Sequence, residues 1–93
     1  MKKYWVYIIC NKRNGTLYVG MTNNISRRIY EHKERLFEGF SKKYGLDKLV
    51  FVQQFEDVSE AIVCEKKLKK WKRSWKISLI EEGNPDWEDL GLM

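Results

Sequence analysis

The apolar positions of this chain follow two periods. Residues 4–10, Tyr-Trp-Val-Tyr-Ile-Ile-Cys, form an unbroken run of aromatic, β-branched and other apolar side chains. Such a run predicts a strand buried on both faces, hence one in the interior of its sheet. Alternation places Trp5, Tyr7 and Ile9 on one face and Tyr4, Val6, Ile8 and Cys10 on the other. Asn14-Gly15 is a turn signal, so residues 11–16 read as a hairpin loop and residues 16–20 as a second strand that ends at Gly20. A third strand is predicted over residues 48–55, with Leu49, Phe51 and Phe55 on one face and Val50 and Val52 on the other.

The remaining apolar residues recur at the helical period. Asn23 or Asn24 can cap a helix running to about residue 38, with Gly39 as its stop. At 100° per residue its buried arc contains Ile25, Ile29 and Leu36. His32 lies in that arc, Arg28 at its edge, and Arg27 nearly opposite. Residues 40–45 form a basic connection with room for a short helical turn. Asp57 and Glu60 have the residue types of a capping box. The helix they open is predicted to reach about Arg73, with an apolar stripe of Ala61, Cys64, Leu68, Trp71 and Trp75. Ser74 can cap a further helix ending near Glu82, with Gly83 just past its end. Asn84-Pro85 then begins a terminal tail carrying Trp87 and Leu90. The order strand, strand, helix, strand, helix, helix predicts a single small α+β domain over residues 1–93.

Composition sharpens this picture. A chain of 93 residues buries only roughly 60–65% of the surface its unfolded state exposes. Four Trp, five Tyr and four Phe enlarge the apolar area that such a small core can bury. The net charge of +5 and pI near 9.2 point to a polyanionic partner, nucleic acid first among them. Cys10 and Cys64 are far apart, form no CxxC pair and have no second histidine, which argues against zinc and for free thiols in a reducing cytoplasm. No leader or membrane span is expected: the apolar run after Met1-Lys2-Lys3 is too short for either.

Several polar residues carry two readings each. His32 is either a hydrogen-bonded core histidine or part of a site. Arg28 is either paired with a carboxylate such as Glu31 or held against the body of the domain for chemistry; Arg27 is a surface charge. Glu65 sits at the border of its helix's apolar stripe, where it either pairs with Lys69 at i, i+4 or projects along the rim of the sheet. Lys66, Lys69, Lys70 and Arg73 cover the outer face of that helix, as a solvated surface or as a track for a phosphate backbone. Trp71 and Trp75 fall on the apolar stripe and read as core rather than as base-stacking platforms. Tyr7 and Tyr18 lie on neighbouring strands; a phenol, with a pKa near 10, needs a cation or hydrogen-bond partner to act as a base.

The ordered set Val6-Tyr7-Ile8, Tyr18-Val19-Gly20, Arg28, His32, Glu65 and Asn84, with the ending Asn-Pro-Asp-Trp-Glu-Asp-Leu, resembles the GIY-YIG nuclease domain, and the chain is similar to its small stand-alone bacterial members. The first motif departs from the family, with Trp5 and Val6 where Gly-Ile precede the tyrosine. The resemblance implies a three-stranded antiparallel sheet, first strand central, flanked by helices. It implies hydrolysis of DNA phosphodiesters, including branched or damaged DNA of the kind met in repair, with one weakly bound Mg²⁺ or Mn²⁺. A protein partner could supply specificity. By position, Tyr7, Tyr18, Arg28, His32 and Asn84 match the catalytic network and Glu65 the metal ligand. Arg27, Lys42, Lys43, Lys66, Lys69, Lys70 and Arg73 would contact nucleic acid. Tyr7 would deprotonate water or attack phosphorus itself; a fold retained only for nucleic-acid binding, or for protein interaction through the basic face, is the competing reading.

Overall fold

A strand with no polar face has to be covered on both sides, and the first strand is. The computed structural model describes residues 2–34, 36 and 43–91. Strand β1 (Tyr4–Cys10) lies between β2 (Leu17–Thr22) and β3 (Lys48–Phe55), antiparallel to each, in the order β2-β1-β3. Helix α1 (Ile25–Lys33) follows β2, and α2 (Val58–Lys70) and α3 (Arg73–Gly83) follow β3. This is the expected α+β architecture with the first strand central.

Each face of the sheet has its own core. Tyr7, Ile9 and Leu49 pack with Ile25 and Ile29 of α1 and with Leu46. Val6, Ile8, Cys10, Val19 and Val50 pack with Ala61 and Leu68 of α2, Ile80 of α3 and Trp87. The split between Trp5, Tyr7 and Ile9 on one side and Tyr4, Val6, Ile8 and Cys10 on the other is as the alternation predicts.

The third strand corrects the simple alternation. Ile8 faces Phe51 while Ile9 faces Leu49, so Val50 is an extra residue in the ladder. Such a bulge reverses the facing of everything beyond it. Leu49 therefore joins Val52 on the α1 face, and Val50 joins Phe51 and Phe55 on the other. The second strand also runs further than predicted, through Gly20 to Thr22, because Trp5, Val6 and Tyr7 offer it backbone partners as far as that.

Helix ends depart from the sequence pattern for local reasons. Asn24 is the N-cap of α1, its side chain accepting from the Arg27 N–H at 3.0 Å. The helix stops at Lys33 rather than near residue 38. The Leu36 N–H bonds the Glu31 carbonyl at 2.9 Å, out of step with the i to i−4 bonds of the helix. Leu36 is consequently 61% exposed, not buried; the proposed stop at Gly39 lies outside the described residues. Asp57 caps α2 as expected, accepting from the Ser59 N–H at 2.8 Å.

Helices α2 and α3 are separated by Trp71 and Lys72, both with ψ near 150°. The break ends the 100° stripe, so Trp75 is 51% exposed and stands edge-on to half-buried Trp71 rather than in the core. Lys72, not Ser74, precedes α3, and Gly83 is its last residue rather than the one beyond.

Residues 84–91 are anchored to the domain. Buried Asn84 donates from Nδ2 to the carbonyls of Val50 (3.2 Å) and Glu88 (2.8 Å) and accepts from the Glu88 N–H. This turn drives Trp87, 1% exposed and with φ +55°, into the core, where its Nε1 donates to Glu81. A bulky residue at positive φ is strained, and burial of the indole offsets that. Asp89 accepts from the Leu49 N–H and pairs with Lys33, which ties the C-terminal segment to β3 and α1 together. Burial would raise the Asp89 pKa, but the hydrogen bonds from Lys33, Gly91 and Leu49 and the Lys33 charge hold it below its ordinary value. Cys10 is buried and Cys64 half-buried, both free. Among the described residues no helix is long and apolar enough to cross a membrane.

Candidate active site

The site is organised by a tyrosine lying over a glycine. Tyr7 in β1 faces Gly20 in β2, and Tyr18 faces Ile9 two pairs further along. Both tyrosines are on the α1 side of the sheet. A Cβ at Gly20 would run into the Tyr7 ring and hydroxyl, far inside van der Waals contact. Glycine is needed here for space, so that the phenol can lie flat across the neighbouring strand.

Helix α1 delivers the next two groups. Asn24, held by Thr22 at 3.1 Å, starts the helix two residues past the strand. One turn and two turns later Arg28 and His32 face the sheet, while Arg27 is exposed. His32 Nε2 lies 3.2 Å from the Tyr7 hydroxyl, a buried hydrogen bond. The imidazole stands 5.8 Å from the Tyr7 ring and 6.2 Å from the Tyr18 ring. Arg28 hydrogen-bonds the Tyr7 hydroxyl as well, and its Nε lies 3.4 Å from Glu31. Glu31 is also 3.9 Å from Arg27. The expected pairing of Arg28 with Glu31 is present, and the same guanidinium also acts on Tyr7.

The electrostatics follow from burial. Desolvation pushes the Tyr7 pKa up to about 12, although the Arg28 charge and hydrogen bond oppose it; Tyr18 and Glu65 add to the rise. Desolvation, and then the Arg28 charge, lower the His32 pKa to about 4. At neutral pH His32 is therefore uncharged and can accept a proton at Nε2 from the phenol. Folded His32 resists protonation that the unfolded chain accepts near pH 6.5, so its contribution to stability is present above that pH and is lost as pH falls towards 4. Urea midpoints should accordingly drop between pH 6.5 and 4.5 in the wild type, with a smaller drop in His32→Gln.

Glu65 enters from α2. Its carboxylate is near enough to Tyr7 to raise the phenol's pKa, and it pairs with Lys69 at 3.1 Å. The expected pairing with Lys69 is therefore present. Tyr7, Tyr18, Arg28 and His32 are thus brought together from β1, β2 and α1, and Glu65 of α2 lies within electrostatic reach of Tyr7. Asn84 is not among them: its bonds to Val50 and Glu88 give it a structural task. No group of three or more His, Cys, Asp or Glu that could hold a metal occurs among the described residues. One carboxylate, half-buried, fits a cation that keeps most of its waters and takes a substrate oxygen, as Mg²⁺ and Mn²⁺ do, and does not fit zinc.

Of the residues assigned to nucleic-acid contact, Arg27, Lys43, Lys66, Lys69 and Lys70 are exposed. Lys43 sits over the Tyr44 ring, and Lys42 lies outside the described residues. Arg73 is committed differently: its Nη2 donates to the carbonyls of Asn14 (2.6 Å) and Gly15 (2.5 Å) in the hairpin loop. The sequence pattern missed the role of Gly20, read there as a strand end. A glycine within a strand, opposite a tyrosine, is the available signal.

Residues 3–78 match the GIY-YIG catalytic domain, and the chain belongs to that family. A catalytic domain of this kind implies a nuclease, a nucleic-acid substrate and a divalent metal. Within the family it falls among the small bacterial UPF0213 proteins. It is 34% identical to a UPF0213 protein of Staphylococcus saprophyticus, over 89% of this chain and all of that one. It is 34% identical to one of Syntrophus aciditrophicus, over 92% and 98% of the two chains. The solution NMR structure of the UPF0213 protein BH0048 from Bacillus halodurans superposes with a TM-score of 0.60 at 26% identity, covering 94% of this chain and 92% of that one.

Proposed function

We propose that this protein is a metal-dependent endonuclease that hydrolyses DNA phosphodiesters, of the structure-specific or repair type. Tyr7, Tyr18, Arg28 and His32 are its catalytic residues and Glu65 its metal ligand. The observation that carries the reading is the Tyr7 hydroxyl, buried, 3.2 Å from His32 Nε2 and hydrogen-bonded by Arg28. A core tyrosine has no need of a guanidinium, and a binding module has no need of a carboxylate beside its phosphate contact.

In this reading Arg28 binds a non-bridging phosphate oxygen and stabilises the charge that grows on it. The same phosphate offsets the Arg28 charge that holds down the His32 pKa, so substrate makes His32 a better proton acceptor. Water then attacks phosphorus. Its proton passes to Tyr7 Oη as the Tyr7 proton passes to His32 Nε2, the P–O bond to the leaving group breaks, and the leaving oxygen is protonated by solvent. Tyr18 packs against the imidazole and keeps it oriented. A Mg²⁺ or Mn²⁺ on Glu65 would supply Lewis-acid stabilisation of the phosphoryl group and leaving oxygen.

The test is a panel of linear, single-stranded, flap, nicked and four-way DNA, with RNA, in Mg²⁺, Mn²⁺ or EDTA. Tyr7→Phe should lower the cleavage rate by about 10²–10⁴-fold while leaving salt-dependent DNA binding intact. Arg28→Ala and Glu65→Ala should also abolish most cleavage. Nicking that survives unchanged in all three variants overturns the assignment. Binding without cleavage of any substrate by the wild type, unaffected by Glu65→Ala, would establish a binding module instead.

A further inference from the structure

The hairpin loop and the start of α3 enclose a groove of about 620 Å³ that the tyrosine cluster does not use. Lys12, Asn14 and Thr16 line it from the loop, and Arg73 and Lys76 line it from α3. Among the described residues lining it none is acidic. Its shape is built in: Arg73 grips the Asn14 and Gly15 carbonyls, Gly15 N–H bonds Lys12 O at 2.8 Å, and Asn11 Oδ1 accepts from the Thr16 N–H at 2.9 Å. Three cations and the amide and hydroxyl groups of Asn14 and Thr16 therefore converge on one concavity, with no carboxylate among its described lining residues.

We propose that this groove is a second phosphate-binding subsite, which holds the nucleic-acid backbone a few nucleotides from the bond that is cut. The proposal rests on the nuclease reading for its ligand. Position supports it. The groove begins at Thr16, four residues along β2 from Gly20, which faces Tyr7. Strand rise places it roughly 13 Å from Gly20 along the sheet edge, about four nucleotides of duplex at ~3.4 Å per nucleotide of one strand. Phosphate contacts of this kind fix register without reading bases. Lys12 and Lys76 supply charge, whereas Arg73 also clamps the loop.

The experiment is fluorescence anisotropy of a labelled 20-base-pair duplex in EDTA, across a salt titration, so that no turnover is needed. Wild type is compared with Lys12→Ala/Lys76→Ala and with Lys2→Ala/Lys3→Ala, which removes equal charge elsewhere; circular dichroism melts establish that each is folded. The groove variant should bind at least tenfold more weakly, and the slope of log K against log salt should fall by about 1.8, at ~0.9 per lost phosphate contact. The control variant should change little. A groove variant indistinguishable from the control overturns the proposal, whether or not the protein cleaves DNA. If the groove variant shows the loss while the wild type cuts no substrate of the panel in Mg²⁺ or Mn²⁺, the subsite stands and the nuclease reading falls.

Discussion

Gly20→Ala is expected to cost both stability and activity. The added methyl would collide with the Tyr7 ring and hydroxyl, and Tyr7 is 1% exposed with Val52 on its other flank. The ring cannot swing out without breaking its hydrogen bond to His32. Overpacking of this kind costs about 1–3 kcal/mol. Displacing a reacting group by about 1 Å costs on the order of 10² in rate. Thermal melts and single-turnover cleavage measured together would show both losses, with DNA binding in EDTA unchanged because the Arg28 and lysine charges remain. Full activity in Gly20→Ala would mean that the Tyr7 hydroxyl need not occupy its observed place.

Trp87→Ala should have the largest effect on folding. The indole is fully buried between the sheet and α3 and bonds Glu81 at 2.7 Å. Truncating a buried tryptophan costs about 3–5 kcal/mol, a large share of the roughly 5–15 kcal/mol that holds a domain. At about 4–8 °C per kcal/mol for a domain of this size, the melting temperature should fall by at least ~12 °C. The loss should extend to the site, since the segment after Trp87 ties β3 to α1 through Asp89 and Lys33. A truncation that left the melt within a few degrees of wild type would show that the segment is an accessory.

How much of this was legible in the chain differs by element. Residues 4–10 announced a central strand because a run without a polar face has only one stable place in a sheet. The distinction between Arg27 and Arg28 was also legible, because helix geometry separates adjacent residues by 100° and only one can face the sheet. The facing of Leu49 was not legible, since a bulge at Val50 depends on the partner strand. Nor was the exposure of Trp75, because the helical stripe says nothing of the break at Trp71 and Lys72. Asn84 appeared in sequence as a member of the site and is in structure a pin for the C-terminal turn; a residue type cannot report which carbonyls it will meet.

By itself the sequence determined the local choices: which segments become strands or helices, which faces are apolar, and that two tyrosines, an arginine, a histidine and a carboxylate recur in a telling order. Those follow from dihedral preference and periodicity, which act over a few residues. Tertiary structure decided what these groups are to one another. It seated the Tyr7 phenol in the space left by Gly20, set His32 and Arg28 on its hydroxyl, brought Glu65 from the second long helix, and turned Trp87 inward. Those are matters of strand register and of packing between residues far apart in the chain, as between Tyr7 and His32, 25 positions apart, and burial then moves the two pKa values to about 12 and about 4. The cost of a buried charge depends on everything that surrounds it, and only the folded chain specifies that surrounding.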